Sequence, residues 1–74
     1  MTDTIARNNK MMAGLKYLNK KTGNIYRVIC VAQYATNIRE GNAVVLYKRF
    51  APDYSIEFFA RDLDEFKVKF TRCC

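Results

Sequence analysis

A chain of 74 residues with a net charge of +6 and one proline forms a single domain whose core is small. Half of the residues are hydrophobic, which makes a core attainable without metal or disulfides, and the single proline and three glycines argue against disorder across most of the chain. The chain has three cysteines without paired spacing and no histidine, which argues against a disulfide framework, a zinc site and histidine-based catalysis.

The excess of lysine and arginine predicts an acidic partner: a nucleic acid, an anionic ligand or an acidic protein surface. Because these residues are spread along the chain, a basic surface that binds nothing explains the charge nearly as well. Neither a signal peptide nor a long apolar segment is visible. We therefore expect a cytoplasmic protein, in a bacterium or its host, with reduced thiols, no membrane contact and no cofactor.

The first 13 residues precede the region of strand-like patterns. They are polar at first, and Asn8-Asn9 forms a break, so residues 1–13 are predicted to be a flexible or marginally helical lead-in. Residues 14–72 are predicted to form the single folded domain.

Five short segments of that domain have the β-branched, aromatic or alternating patterns of strands. Turn residues separate them, including Gly23-Asn24, Gly41-Asn42 and Pro52, which suit positive φ or a fixed φ. The predicted strands are, in order, LKYL, IYRVICVAQYA, AVVLYKRF, SIEFFA and FKVKFT.

Two of these strands carry specific predictions about faces. In the second, strict alternation puts Val28 and Cys30 on one face and Val31 on the other, and the apolar run VICVA predicts a central strand. In the last, Phe66, Val68 and Phe70 point inward, while Lys67 and Lys69 point outward and protect an edge from pairing.

Five strands at roughly ten-residue spacing, joined by tight turns, predict an all-β fold: a small five-stranded, strongly bent SH3-like barrel. The strands have to curl because a flat sheet of this size could not cover its own core. An OB-type barrel usually needs more residues and a helix between strands. If AVVLYKRF lay at an edge, it could pair across a two-fold axis and give a homodimer.

The segment ARDLDEF, residues 60–66, joins the last two predicted strands. As structure it is one short 3₁₀ turn, with Asp62 as N-cap and Glu65 completing a capping box. Leu63 and Phe66 then point into the barrel. Arg61 either pairs with neighbouring acids or belongs to a binding face.

The same segment also allows a chemical interpretation, because the carboxylates of Asp62, Asp64 and Glu65 could do acid–base work or bind a divalent cation. The chain has no histidine and the segment has no glycine-rich loop, and Arg61 opposes a cation. The chain is therefore predicted not to be an enzyme and to have no catalytic or metal-binding residue.

The stretches YRVICVAQYATN, VVLYKRF and FFARDLDEF resemble a family of small bacterial proteins of unknown function. That family has a Tyr-x-Val strand, a Val-Val-Tyr strand and a closing aromatic-x-Arg-x-Leu-x-x-Phe motif. The resemblance covers residues 14–70, with matches at Tyr26, Val28, Val31, Ala32, Val45, Tyr47, Arg61, Leu63 and Phe66. The chain departs from the family at Asp62, where proline is frequent, and at FAPDYS, where the family has an aromatic-rich glycine loop. The resemblance implies a small β-rich domain and no known activity.

Tyrosines interleaved with cations can stack bases and grip phosphates, or can cover the rim of a small core. The candidate ligand- or partner-binding residues are Arg27, Tyr34, Tyr47, Lys48, Arg49, Tyr54 and Arg61. The favoured hypothesis is a non-enzymatic interaction module that binds a protein partner or a small anionic ligand, such as a phage or mobile-element protein that modulates a host factor. The alternative is a nucleic-acid-binding barrel.

Overall fold

The computed structural model describes residues 2–33 and 43–73. The predicted turn TNIREGN and Tyr34 lie outside the described residues. The elements are α1 (Thr2–Met12), β1 (Lys16–Asn19), β2 (Ile25–Gln33), β3 (Ala43–Phe50), β4 (Ile56–Asp62), α2 (Leu63–Lys69) and β5 (Phe70–Arg72).

The five strands form one antiparallel sheet in the order β4-β3-β2-β1-β5. The prediction of a β-rich fold with five short strands is confirmed. The sheet is not closed into a barrel: β4 and β5 are its two edges within the described residues. Closure would require a last strand long enough to pair with both β1 and β4. Residues 63–69 form the helix α2 instead, and β5 has only three residues, which pair with β1. The condition set for a homodimer through AVVLYKRF is not met, because this segment is β3 and is paired on both sides.

One face of the sheet carries the core, and we call it the inner face; the opposite side is the outer face. Both helices contribute side chains to the inner face. The buried core residues are Met12, Val28, Val31, Val45, Tyr47, Leu63, Phe66 and Phe70.

A β-bulge in β2 determines which of its side chains reach this core. The pairing with β3 shifts between Val28 and Cys30, which leaves Ile29 as the extra residue. Val28 and Val31 are therefore both buried, whereas Cys30 is half-buried. The prediction that Val28 shares a face with Cys30, opposite Val31, is wrong because the bulge reverses the alternation at that point.

The lead-in predicted as flexible or marginally helical contains α1, which packs on β2. An isolated helix of 11 residues is marginal in water, so contacts with the sheet have to stabilise it. Met12 is buried, and the Asn9 side-chain amide bonds the backbone of Val31, donating to its oxygen at 2.6 Å and accepting from its nitrogen at 2.7 Å. Asn9 thus pairs with β2 much as a neighbouring strand does.

The segment after β4 is a seven-residue α-helix rather than a 3₁₀ turn followed by a long strand. Leu63, Phe66 and Phe70 are spaced by three and four residues, which suits one face of a helix. The Phe66 and Phe70 rings stack at 4.2 Å, whereas Val68 is 71% exposed. The predicted burial of Phe66 and Phe70 is confirmed, and that of Val68 is wrong.

This helix predicts opposite outcomes for two apolar residues. Phe66→Ala should cost about 3–5 kcal/mol of unfolding free energy, because its ring is fully buried. Val68→Ala should change it by less than about 0.5 kcal/mol, because the side chain faces solvent. Urea denaturation followed by circular dichroism measures both, with Phe66→Leu as a milder variant. A cost above about 2 kcal/mol for Val68→Ala would mean that Val68 is buried in a strand.

Candidate binding face

Three cations lie in a row across the outer face of the sheet. The register pairs Lys16 on β1 with Arg27 on β2, and Arg27 with Lys48 on β3. Residues directly opposite each other in antiparallel strands point to the same face with their Cβ atoms about 4.5–5.5 Å apart. We call Lys16, Arg27 and Lys48 the basic row.

Like charges placed directly opposite each other destabilise a sheet. Within residues 2–33 and 43–73, none of the three side chains forms an ion pair with a carboxylate. Arg27 donates one hydrogen bond from its guanidinium to the backbone oxygen of Gly14, which orients the side chain but does not neutralise it. The fold therefore holds three positive charges together without compensation from the described chain.

Apolar side chains surround the basic row on the same face. Phe58 pairs with Lys48 from the other side, and Phe50 is the next residue along β3 with the same orientation; each is 68% exposed. A shallow groove of about 240 Å³ lies beside Phe50 and Ile25 and is lined by all three cations of the row. The face combines positive charge with exposed aromatic surface, which is a composition suited to binding.

Arg49 also lines this groove, but its charge is already compensated. Its Nε donates to Glu57 Oε1 at 2.7 Å, and its guanidinium lies 6.0 Å from the centre of the Tyr26 ring. The hydrogen bond to Glu57 is the main reason that the pKa of Arg49 is raised. Arg49 is therefore less available to an acidic partner than Arg27 or Lys48.

Arg61 lies on the inner side and joins four elements. Its Nε donates to Tyr47 Oη at 3.2 Å, and another guanidinium nitrogen donates to Glu65 on α2. It also lies 5.9 Å from the centre of the Phe70 ring. The hydrogen bond to Tyr47, followed by the interactions with Glu65, raises the pKa of Arg61 against the opposing effect of burial. Arg61 stabilises the scaffold.

The two candidate tyrosines that the structure describes lie in different places. Tyr47 is 3% exposed and forms part of the core. Tyr54 is 87% exposed at the tip of the β3–β4 hairpin, with a left-handed φ of 68°. Tyr34 lies outside the described residues. Of the seven candidates, the structure brings Arg27 and Lys48 together in the basic row, whereas Arg49 lines the same groove but points to the inner face with Glu57.

The acidic segment has structural partners. Asp62 occupies the N-cap position of α2, but its side chain makes no hydrogen bond to the helix backbone. Glu65 binds Arg61 and lies 3.8 Å from Lys69, so the predicted capping box does not form. The helix α2 has acidic residues, Asp64 and Glu65, in its first turn and lysines in its last turn. These charges interact favourably with the helix dipole and stabilise the helix. No group of three metal-ligating side chains occurs in the described ranges.

Lys16, Phe50 and Phe58 were not predicted as site residues. Each lies in a predicted strand, where successive side chains point to opposite faces. Which of the two faces is exposed cannot be assigned until it is known which one packs on the core. The cross-strand register assigns all three to the outer face, and no signal within one strand carries that register.

Comparisons of the chain with protein-family models, curated proteins and solved structures found no match. The resemblance to a family of small bacterial proteins thus stays a prediction. Among the residues that the structure describes, no helix has the length and apolar character needed to cross a membrane.

The crowding of charge in the basic row has a measurable consequence. Lys48→Glu should raise the unfolding free energy by about 0.2–1 kcal/mol, because a cation opposite Arg27 is replaced by an anion. The gain should shrink at high salt. Lys21→Glu, which makes the same charge change in the exposed β1–β2 turn, is the matched control. Urea titrations in which Lys48→Glu is less stable than Lys21→Glu would contradict this account.

Proposed function

We propose that the chain is a non-enzymatic interaction module that binds an acidic protein partner through the outer face of its sheet. The observation that carries this proposal is the basic row, in which three cations from three strands lie side by side without a described carboxylate partner. An acidic surface that docks there supplies the negative charges that the three cations of the basic row lack within the described residues.

The apolar part of the outer face favours a protein over a small anion. Phe50 and Phe58 are broad exposed rings next to Lys48, one along β3 and the other opposite it on β4, and Ile25 and Ile56 extend the apolar surface. Aromatic side chains are enriched at protein interfaces and often provide the buried anchors there. A partner with an acidic patch bordered by apolar residues complements this arrangement.

The finer fold assignment and the cellular setting belong to the same proposal. The position of α2 between β4 and β5, and the pairing of β5 with β1, support an opened form of an SH3-like arrangement. The described cysteines, Cys30 and Cys73, are free thiols, which supports a reducing cytoplasm. We propose further that the chain is a small phage or mobile-element protein that modulates a host factor.

A capture experiment with matched charge variants tests the proposal. Immobilised protein is incubated with nuclease-treated bacterial lysate, and bound proteins are identified by mass spectrometry. We expect an acidic protein that the wild type and Lys21→Glu retain and that Lys48→Glu loses, because only Lys48→Glu alters the basic row. Equal retention by all three proteins, or no retained protein, would overturn the proposal.

A second candidate function is binding of single-stranded nucleic acid. The observation that favours it is that two exposed rings, Phe50 along β3 and Phe58 across on β4, adjoin Lys48 on one face, since exposed rings stack on bases while cations neutralise phosphates. Three neutralised phosphates give a slope of about −2 in a plot of log affinity against log salt.

Fluorescence anisotropy with labelled oligothymidine measures this second function. Phe58→Ala should weaken binding by about 1–3 kcal/mol through the loss of one stacked base. Val68→Ala removes an exposed apolar side chain from α2 and should leave binding unchanged. An oligonucleotide that does not bind at low salt excludes this function and leaves the protein-binding proposal intact.

A further inference from the structure

The edge strand β4 carries charged residues at Glu57, Arg61 and Asp62, but it lacks the lysine, the proline, the bulge and the short length that commonly protect an edge from pairing with another chain. It spans seven residues, and within the described residues only β3 pairs with it. Natural edge strands are commonly short or carry lysine, proline or a bulge. The other edge, β5, has three residues, whereas β4 contains no lysine or proline and pairs with β3 in an unbroken register.

The hairpin that joins β3 to β4 determines which backbone groups of β4 point outward. Ala51 donates its N–H to the oxygen of Ser55 at 2.8 Å, so these two residues form a hydrogen-bonded pair. Hydrogen-bonded and non-hydrogen-bonded pairs alternate along antiparallel strands. Counting from Ser55, residues 57, 59 and 61 bond to β3, and the backbone groups of Ile56, Phe58 and Ala60 point away from it.

We infer that β4 pairs antiparallel with β4 of a second copy of this chain, across a two-fold axis at Phe59. In this register Phe58 exchanges two backbone hydrogen bonds with Ala60 of the second copy, and the symmetry repeats the pair. Both residues present outward-pointing N–H and C=O groups, as a hydrogen-bonded pair requires. Phe58, which is 68% exposed, then lies beside a small side chain.

Charge complementarity selects this register over its neighbours. Pairing about Phe59 places Glu57 directly opposite Arg61 of the second copy, and the symmetry supplies the same pair again. A shift of two residues in either direction removes both direct pairs. The Glu57 and Arg61 side chains are 43% and 30% exposed. Each keeps atoms that its internal partner does not use: Glu57 its second oxygen, and Arg61 further N–H donors.

The dimer has a consequence for the outer face. A two-fold axis through the Phe59 pair runs perpendicular to the sheet, so two five-stranded sheets join into one with both outer faces on the same side. The two basic rows then face the same way and can engage a repetitive or two-fold symmetric partner together. The dimer itself does not depend on the proposed function, because it uses the edge and not the basic row.

Sedimentation velocity of the full chain over a wide concentration range tests the inference. Wild type should shift from monomer to dimer as concentration rises, because a single edge pairing is smaller than a standard interface. Phe58→Lys should raise the dimer Kd by more than about tenfold, since it puts two lysines near the axis. Phe50→Lys is the matched control, with the same exposure and charge change on the interior strand β3, which is paired on both sides, and should dimerise like wild type.

Two results would overturn the inference: wild type that stays monomeric at every concentration, or Phe50→Lys that dissociates as readily as Phe58→Lys. The second result would indicate contact between outer faces instead of edges. A charge-exchange experiment fixes the register. Glu57→Arg and Arg61→Glu should each dimerise poorly alone, and their equimolar mixture should form a heterodimer because both cross-strand pairs are restored. Circular dichroism verifies that each variant is folded, and a folded pair that fails to associate on mixing contradicts the register.

Discussion

The ring of Tyr47 is the contact on which the inner face depends. Its centroid lies between 5.2 and 5.3 Å from the rings of four other residues: Tyr26 on β2, Phe59 on β4, Phe66 on α2 and Phe70 on β5. Its hydroxyl accepts the hydrogen bond from Arg61. One side chain on β3 thus connects the two neighbouring strands, the second helix and the far edge of the sheet in one core.

The size of the chain explains why the two faces differ. A domain of 74 residues has enough apolar side chains for one packed layer, and helices α1 and α2 cover that layer on the inner face. The outer face keeps the basic row together with Phe50 and Phe58, both largely exposed. The binding proposal and the edge pairing both arise from this asymmetry, since the outer face and the free edge of β4 are not covered by any of the residues that the structure describes.

Local chemistry accounts for the parts of the fold that the sequence predicted correctly. Gly23 takes a φ of 79° in the predicted β1–β2 turn, and Pro52 lies in the predicted β3–β4 turn. The burial of Leu63 and Phe66 was also predicted. The errors occurred where two local readings competed. The spacing of Phe66 and Phe70 is compatible with both a strand and a helix. The ring contacts of Phe66 with Tyr17 and Tyr47 stabilise the helix. The bulge at Ile29 cannot be recognised from the sequence, because every residue of the run VICVA is apolar and could point to either face of the sheet.

The sequence by itself determined where the first four strands run, the turns that join β1 to β2 and β3 to β4, and the excess of positive charge, because these depend on backbone preferences and composition. Only the tertiary structure decided which candidate residues form a site. Arg61 and Tyr47 bind each other in the scaffold, whereas Lys16, never a candidate, joins Arg27 and Lys48 in the basic row. The reason is that cross-strand register is a property of paired strands: two residues 11 positions apart become neighbours only when β1 pairs with β2.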